Sequence, residues 1–292
     1  MSQKTFDTPL FLFKYDKPCF SLNMPFRFPS QIKLFRKLRY RKGFGVHSPF
    51  AYNLITKVIE EKSPYYVFED IENFRKELLT CSNPVKTITE QETQSKNYGA
   101  LLFRLVHFLK SRTILQIGSS TGLMSLYLAL PLRKSSDCYS LEERKGILEN
   151  ISSFIEKYSL NNLHLMEDEY CVSLNHLKQK IASFDLIFIN MMGDPEKTRK
   201  ALSITETFIY KNTLMIIDNI RSNKAMKSLW QEIKNRQDVG LTIDLISLGL
   251  VFFNTEFHKQ HYKYYFDNGK KQNLYEKRRR RFYFLSRRKK GV

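Results

Sequence analysis

Two glycines, Gly118 and Gly122, lie in the stretch SRTILQIGSSTGLMSLYLA (111–129). Apolar residues lead into the first and another apolar run follows the second, which predicts strand, tight turn and helix. Glycine permits the turn and a close backbone approach, and amides exposed at a helix start can receive a carboxylate. The G-x-x-x-G spacing departs from the dinucleotide pattern G-x-G-x-x-G, so the glycines alone name no ligand. Four later apolar runs each end in polar or acidic residues: LEE (141–143), EDEY (167–170), IFINMMGD (187–194) and IIDNIRSN (216–223). His47, Tyr98, Asn190, Asp218 and His261 are the groups that could position or accept a proton, and no single general base stands out. His47 precedes a helix cap, and His107 sits within an apolar helix, where packing is the expected role. The cysteines, Cys19, Cys81, Cys138 and Cys171, show no C-x-x-C spacing. They predict free thiols rather than a zinc or dithiol site.

The elements that must position these residues follow from periodicity. In HSPFAYNLITKVIEE, Ser48 caps a helix with Pro49 at its first position, and Leu54, Ile55, Val58 and Ile59 recur at helical spacing. FEDIENFRKELLT is a further helix, and the polar segment around 82–97 is the expected boundary. From Tyr98 the rhythm alternates. ALLFRLVHFLK is a helix and TILQIG a strand, LMSLYLAL a helix and DCYSLE a strand. KGILENISSFIEKYSL is a helix, NLHLME a strand and VSLNHLKQKIA a helix. FDLIFIN is a strand apolar on both faces, EKTRKALSITETFIY a helix, TLMIID a strand and NKAMKSLWQEIKNR a helix. Strands separated by helices argue for a mainly parallel sheet covered on both sides. LTIDLIS and LGLVFFN leave no room for a crossover helix and predict a hairpin. HYKYYF either extends the last strand or adds one.

A chain of 292 residues with 42% hydrophobic and 26% charged residues describes a globular protein with a substantial core. No stretch approaches the length needed to cross a bilayer, and PLFLF at the start is too short for a signal, so cytoplasmic residence is the default. The formal charge of +19 is concentrated. From Lys259 to the end there are 13 Lys or Arg against Asp267 and Glu276, and KLFRKLRYRK occupies 33–42. Such clusters suit RNA, anionic lipid or an acidic partner, or serve as solvated ends. The expected organisation is an N-terminal arm and helical region (1–95), a main domain (96–266) and a basic tail (267–292).

Over roughly residues 98–256 the sequence resembles the class I S-adenosylmethionine-dependent methyltransferases, nearest to the catechol O-methyltransferase-like proteins. RKGFGVHSPFAYNLIT also resembles the opening of a Bacteroidetes-type subgroup. The resemblance implies an α/β, Rossmann-like methyltransferase fold: a seven-stranded, mostly parallel sheet with an antiparallel terminal hairpin, plus N-terminal helices. It assigns the cradle for the methionine part of the cofactor to Gln116, Gly118, Ser119, Ser120, Thr121 and Gly122, with Gln116 replacing the usual acid. It assigns the ribose hydroxyls to Glu142, whose two acceptor oxygens suit a vicinal diol, with Glu143 the neighbouring competitor. Adenine contact falls to Asp168, with Glu169 in reserve. In metal-dependent members a divalent ion would be held at the positions of Asn190, Asp218 and Asn219, making Mg²⁺ an implied second cofactor. One carboxylate with two amides is a charge-poor set for it. Asn190 and Asp218 are also the implied catalytic residues.

The reaction implied is methyl transfer from S-adenosylmethionine to an oxygen of a small-molecule acceptor. An RNA acceptor or partner engaged through the basic tail is the competing reading, although no N-P-P-Y type signature is present. A non-catalytic cofactor-binding module is the contrasting class, and a homodimer is the assembly expected. A Rossmann dehydrogenase is disfavoured by the glycine spacing and the hairpin.

Overall fold

A computed structural model describes residues 45–80, 85–91 and 95–266. The arm, the 33–42 cluster, Cys19, Cys81 and the basic tail, on which the RNA reading rests, lie outside the described residues. The first helix, α1 (Pro49–Leu54), starts as its sequence dictates. Ser48 is extended, its hydroxyl accepts from the Ala51 amide at 3.3 Å, and Pro49 opens the first turn. It runs directly into a π-helical turn, Ile55–Ile59, closed by the Glu60 amide on the Ile55 carbonyl. α2 spans Tyr66–Leu78 and buries Phe68, Ile71, Phe74 and Leu78 along one stripe.

The segment expected to be a polar boundary contains a short helix, α3 (Val85–Gln91). Val85 and Ile88 are three apart on its buried side, an apolar pair too short to register as a periodic pattern. α4 (Lys96–Leu109) is capped by the Ser95 hydroxyl and stopped by Lys110 in the left-handed conformation.

The remaining elements alternate: β1 (Thr113–Ile117), α5 (Leu123–Ala129), β2 (Asp137–Glu142), α6 (Ser152–Tyr158), β3 (Leu163–Glu167), α7 (Tyr170–Lys178), β4 (Leu186–Ile189), α8 (Pro195–Thr205), β5 (Leu214–Asp218) and α9 (Lys224–Asn235). The long helix expected over 145–160 is divided, with a 3-10 turn at Leu148–Ile151 ahead of α6. β6 (Leu241–Asp244) and β7 (Leu248–Phe252) form the expected antiparallel hairpin. An eighth strand, β8 (Gln260–Lys263), adds to the seven expected, pairing parallel with β6 at the sheet edge.

The strand order is β3-β2-β1-β4-β5-β7-β6-β8, parallel from β3 to β5, with β7 inserted antiparallel beside β5. Period-two alternation assigns the central strands to two cores. Ile114, Leu186, Phe188, Leu214 and Ile216 face one that includes α1, α2, α4 and α5. Leu115, Ile117, Ile187, Ile189, Met215 and Ile217 face the other, under α7, α8 and α9. The helices before residue 95 therefore share a core with the sheet. Order reverses between β1 and β4, so the carboxyl ends of β1, β2, β4 and β5 open onto the crevice where ligands bind in doubly wound sheets.

Candidate active site

The turn after β1 is built around glycine. Gly118 has φ +79°, and a Cβ there would lie 2.0 Å from the Asn190 carbonyl oxygen. Only glycine lets the turn cross so close to the end of β4. Gly122 (φ +82°) starts α5 against Ile151, and Ser120 between them is also left-handed at φ +59°.

The amides of this turn are less available than the sequence implied. Those of Gly118 and Ser119 donate to the Leu141 carbonyl at 3.0 and 3.1 Å, and that of Gly122 to Ser119. Ser120 donates to the Glu142 carboxylate at 2.7 Å. The turn is thus stitched to β2, and side chains are left to meet a ligand. Two stand out: Gln116 and Ser120 are buried, and neither amide atom of Gln116 nor the Ser120 hydroxyl has a hydrogen-bond partner. Gln116 faces the α5 side of the sheet, in register with Ser140 and Phe188. Buried polar atoms are nearly always paired, so such orphans mark a place where a ligand or water completes the bonding.

Glu142 is buried at the end of β2, and its oxygens take four donors. Besides Ser120, they accept from the Arg144 amide at 3.2 Å, Arg144 Nε at 2.7 Å and Arg144 Nη2 at 3.2 Å. Arg144 escaped sequence reasoning. Its only signal is its place two residues beyond the acid, and its half-exposed guanidinium covers the carboxylate proposed for a diol. Tyr170 escaped too, although it closes the EDEY run. Burial pushes its phenol pKa up, and the charges of Glu142 and Glu143 add to the effect.

The EDEY acids divide by role. Glu167 accepts from the amides of Gly146 and Leu148, both at 2.6 Å, and fixes the loop after β2. Asp168 and Glu169 are exposed, and Asp168 bonds only locally, to the Glu169 amide at 2.8 Å.

At the end of β4, Asn190 is buried, and its side-chain oxygen accepts from the Met192 amide at 3.3 Å. Asp218 ends β5, buried, accepting from the Asn219 amide at 2.8 Å and from Asn219 Nδ2 at 3.0 Å. Asn219 therefore presents a donor, not an acceptor, to its neighbour. Tyr98 of α4 comes up beneath this corner, its ring near Phe188 and its hydroxyl beside Asp218. Burial first, then the Asp218 carboxylate, holds its pKa well above the usual phenol value, so Tyr98 stays protonated. Asp194 caps α8 through the Glu196 and Lys197 amides. Gly193 packs on Ser222, and its carbonyl accepts from Asn223 Nδ2 at 2.9 Å, locking the β4 and β5 loops together.

Glu142, the Gly118–Gly122 turn, Asn190, Asp218, Asn219 and Tyr98 thus form one contiguous set. The other polar candidates stand apart. His47 is exposed ahead of α1, and His107, expected to pack, is exposed on α4. His261 lies on edge strand β8 against Thr242, three strands beyond β5. For a divalent ion, Asn190, Asp218 and Asn219 supply one carboxylate, that of Asp218, already engaged by two N–H donors. No cluster of three or more His, Cys, Asp or Glu able to hold a metal occurs among the described residues. That donor chemistry does not fit a hard dication such as Mg²⁺.

A doubly wound sheet with this strand order, a closing hairpin and a glycine turn after β1 defines the Rossmann-like class I methyltransferase fold. Residues 69–231, more than half the chain, match the O-methyltransferase family, and the protein belongs to that family. Solved structures agree in fold. The O-methyltransferase TomG from Streptomyces achromogenes, in complex with S-adenosylmethionine, superposes with a TM-score of 0.53 at 15% identity, covering 68% of this chain and 93% of that one. An O-methyltransferase from Bacillus cereus in complex with S-adenosylhomocysteine gives 0.52 at 18%, covering 68% and 96%.

Among curated proteins, a probable cobalt-precorrin-6B C(15)-methyltransferase (decarboxylating) from Sulfurisphaera tokodaii is 28% identical over 120 residues, 40% of this chain and 59% of that protein. Its counterpart from Sulfolobus acidocaldarius is 26% identical over 115 residues, 39% and 57%. The chain spans less than two thirds of the length of these curated relatives.

Proposed function

We propose that the protein transfers a methyl group from S-adenosylmethionine to an oxygen of a small-molecule acceptor, as a catechol-type member of its family. The opening RKGFGVHSPF supports placing it with the Bacteroidetes-type subgroup. One observation carries the cofactor assignment: the side chains of Gln116, on the strand leading into the Gly118–Gly122 turn, and of Ser120, within that turn, are buried and unpartnered, and the Ser120 amide bonds Glu142. These residues fit the cofactor. Gln116 and Ser120 would complete their bonding on its amino-acid end, with Ser119 and Thr121 shaping the cradle. Glu142 would take the ribose diol once the Arg144 guanidinium turns out to solvent. Asp168 and Glu169, exposed at the end of β3, are the acids in reach of adenine.

When bound, the sulfonium supplies an already activated methyl group. The chain's own task is to align the acceptor and receive its proton. Asp218 is the carboxylate placed to accept that proton, with Asn219 holding it in orientation and the protonated Tyr98 hydroxyl buried beside it. Asn190, at the neighbouring strand end, would orient the acceptor hydroxyl. Because the Asn190–Asp218–Asn219 set does not fit Mg²⁺, the reaction is proposed to proceed without a divalent ion.

The test is methyl transfer to a panel of phenols, catechols and carboxylic acids, followed by S-adenosylhomocysteine release, with and without chelator. Turnover of an oxygen acceptor, lost in Asp218→Asn, is the expected result. Cofactor binding without turnover on any acceptor would leave a binding module instead.

A further inference from the structure

A cavity of about 510 Å³ opens at the opposite end of the strands from Gly118, Asn190 and Asp218. It lies where β1, β4 and β5 begin and β7 ends, one strand length away, ~17 Å at about 3.3 Å per residue. Nothing in the methyl-transfer reading uses it. Its volume falls within the range of small-molecule sites, roughly 300–1,000 Å³.

One wall is aromatic. Phe50 of α1 stacks on Phe257 with centroids 5.1 Å apart and planes at 22°, and meets the edge of Phe252 at 5.2 Å and 84°. All three rings line the cavity. Opposite, the turn from α4 into β1 contributes Lys110, Ser111 and Arg112. The left-handed Lys110 ends the helix and presents these three residues in succession. Ser111 is 6% exposed and its hydroxyl has no hydrogen-bond partner. Lys110 and Arg112 are exposed and make no ion pair among the described residues.

The acid on the lining, Asp185, is fully committed to the fold. It accepts from the Arg112 and Thr113 amides at 2.6 and 3.2 Å and from the Tyr210 hydroxyl. Lys211 is neutralised by Glu256. Two cations against one saturated carboxylate leave the cavity net positive.

We propose that this cavity binds a small aromatic carboxylate of one or two rings. The ring lies against Phe50 and Phe257, the carboxylate meets Arg112 and Lys110, and the Ser111 hydroxyl donates to it. A planar apolar body satisfies the aromatic wall. An anionic oxygen pair satisfies both the guanidinium fork and the orphaned hydroxyl. A neutral aromatic would leave the cations unmatched, and a bare phosphate would leave the wall wet.

Calorimetric titration of the full chain with 1-naphthoate tests this, with 1-naphthalenemethanol as the uncharged comparison. Saturable binding at one site is expected, at least about tenfold tighter for the carboxylate and unaffected by saturating S-adenosylhomocysteine. Arg112→Ala and Lys110→Asn should each weaken naphthoate at least about fivefold while methyl transfer is unchanged. Asn tolerates the left-handed conformation at 110, and only the backbone amide of Arg112 holds Asp185, so both variants keep the fold. Ser111→Ala should weaken binding in a protein of undiminished melting temperature. Absence of saturable binding, displacement by S-adenosylhomocysteine, or indifference to all three substitutions would overturn the assignment. None of these results bears on whether the chain methylates, so the two readings fail separately.

Discussion

Glu142 is the carboxylate proposed for the ribose diol, and it is held in a state that cofactor binding must change. Four donors already share its oxygens, two of them from the Arg144 guanidinium. A diol can enter only where Arg144 leaves, because the Ser120 amide is part of the turn. Glu142→Gln should raise the dissociation constant for S-adenosylhomocysteine about tenfold or more, a charged hydrogen bond being worth about 1.5–3 kcal/mol. Arg144→Ala should tighten it by up to about fivefold, the scale of a half-exposed ion pair. Weaker binding in the Arg144 variant would mean that the guanidinium helps hold the ligand. At Asp218 the donor set does not suit Mg²⁺, so chelator should leave both binding and turnover unchanged; stimulation by added Mg²⁺ would show that the ion is held there. The ends of apolar runs made the strand-end positions of Glu142, Asn190 and Asp218 legible from the sequence, while their roles came from the family resemblance and stand as proposals. Arg144 and Tyr170 were not legible, because their roles come from side-chain direction across a loop, which no periodicity records.

Among the elements, the β1 turn is the most constrained. Gly118→Ala would combine left-handed strain with displacement of the β4 end from Asn190. It should cost about 3–5 kcal/mol in urea denaturation, whereas a loss below about 1 kcal/mol would show that the strand end yields freely. Two phenols tie helices and loops to the sheet side: Tyr210 bonds Asp185 and Tyr158 bonds Asp70. Burial first, then these carboxylates, pushes both phenols up to about 12. A raised pKa favours the protonated form in the fold. The stability it contributes is therefore complete below the ordinary phenol value of about 10 and is lost as pH rises through about 12. Denaturation at pH 9 and pH 11.5 should show a fall in stability that the double variant Tyr158→Phe, Tyr210→Phe reduces by the share of these two phenols, the raised phenols of Tyr98, Tyr127 and Tyr170 supplying the rest; an equal fall in that variant would assign the whole loss elsewhere. Every strand from β1 to β7 was readable, because apolar runs separated by helices, closed by a pair too near in sequence for a crossover, have one economical arrangement. The short features were not: α3 rests on two apolar residues, the π-turn after α1 on a hydrogen-bond shift without a sequence period, and β8 on edge pairing.

On the scale of the whole molecule, one sheet carries two chemistries at its two ends. The carboxyl ends gather acids, amides and orphaned polar groups into the candidate methyl-transfer site. The opposite end gathers aromatic rings and unpaired cations. The helices before residue 95 bury Phe68, Ile71 and Leu78 in the same core as Leu126 and Phe188, so the N-terminal region contributes to the fold that positions both. The candidate residues of the first site could be proposed from the sequence because they follow strands in order and match positions of the family resemblance. The second stayed hidden because Phe50, Ser111, Asp185 and Phe257 meet only through tertiary packing. The central claim concerns the first site, and calorimetry with S-adenosylhomocysteine tests it most directly, on the natural chain and on Glu142→Gln, in the presence of chelator. The account predicts one-site binding to the natural chain that chelator does not alter and that the substitution weakens about tenfold or more. No binding to the natural chain, or equal affinity in the two proteins, would contradict it.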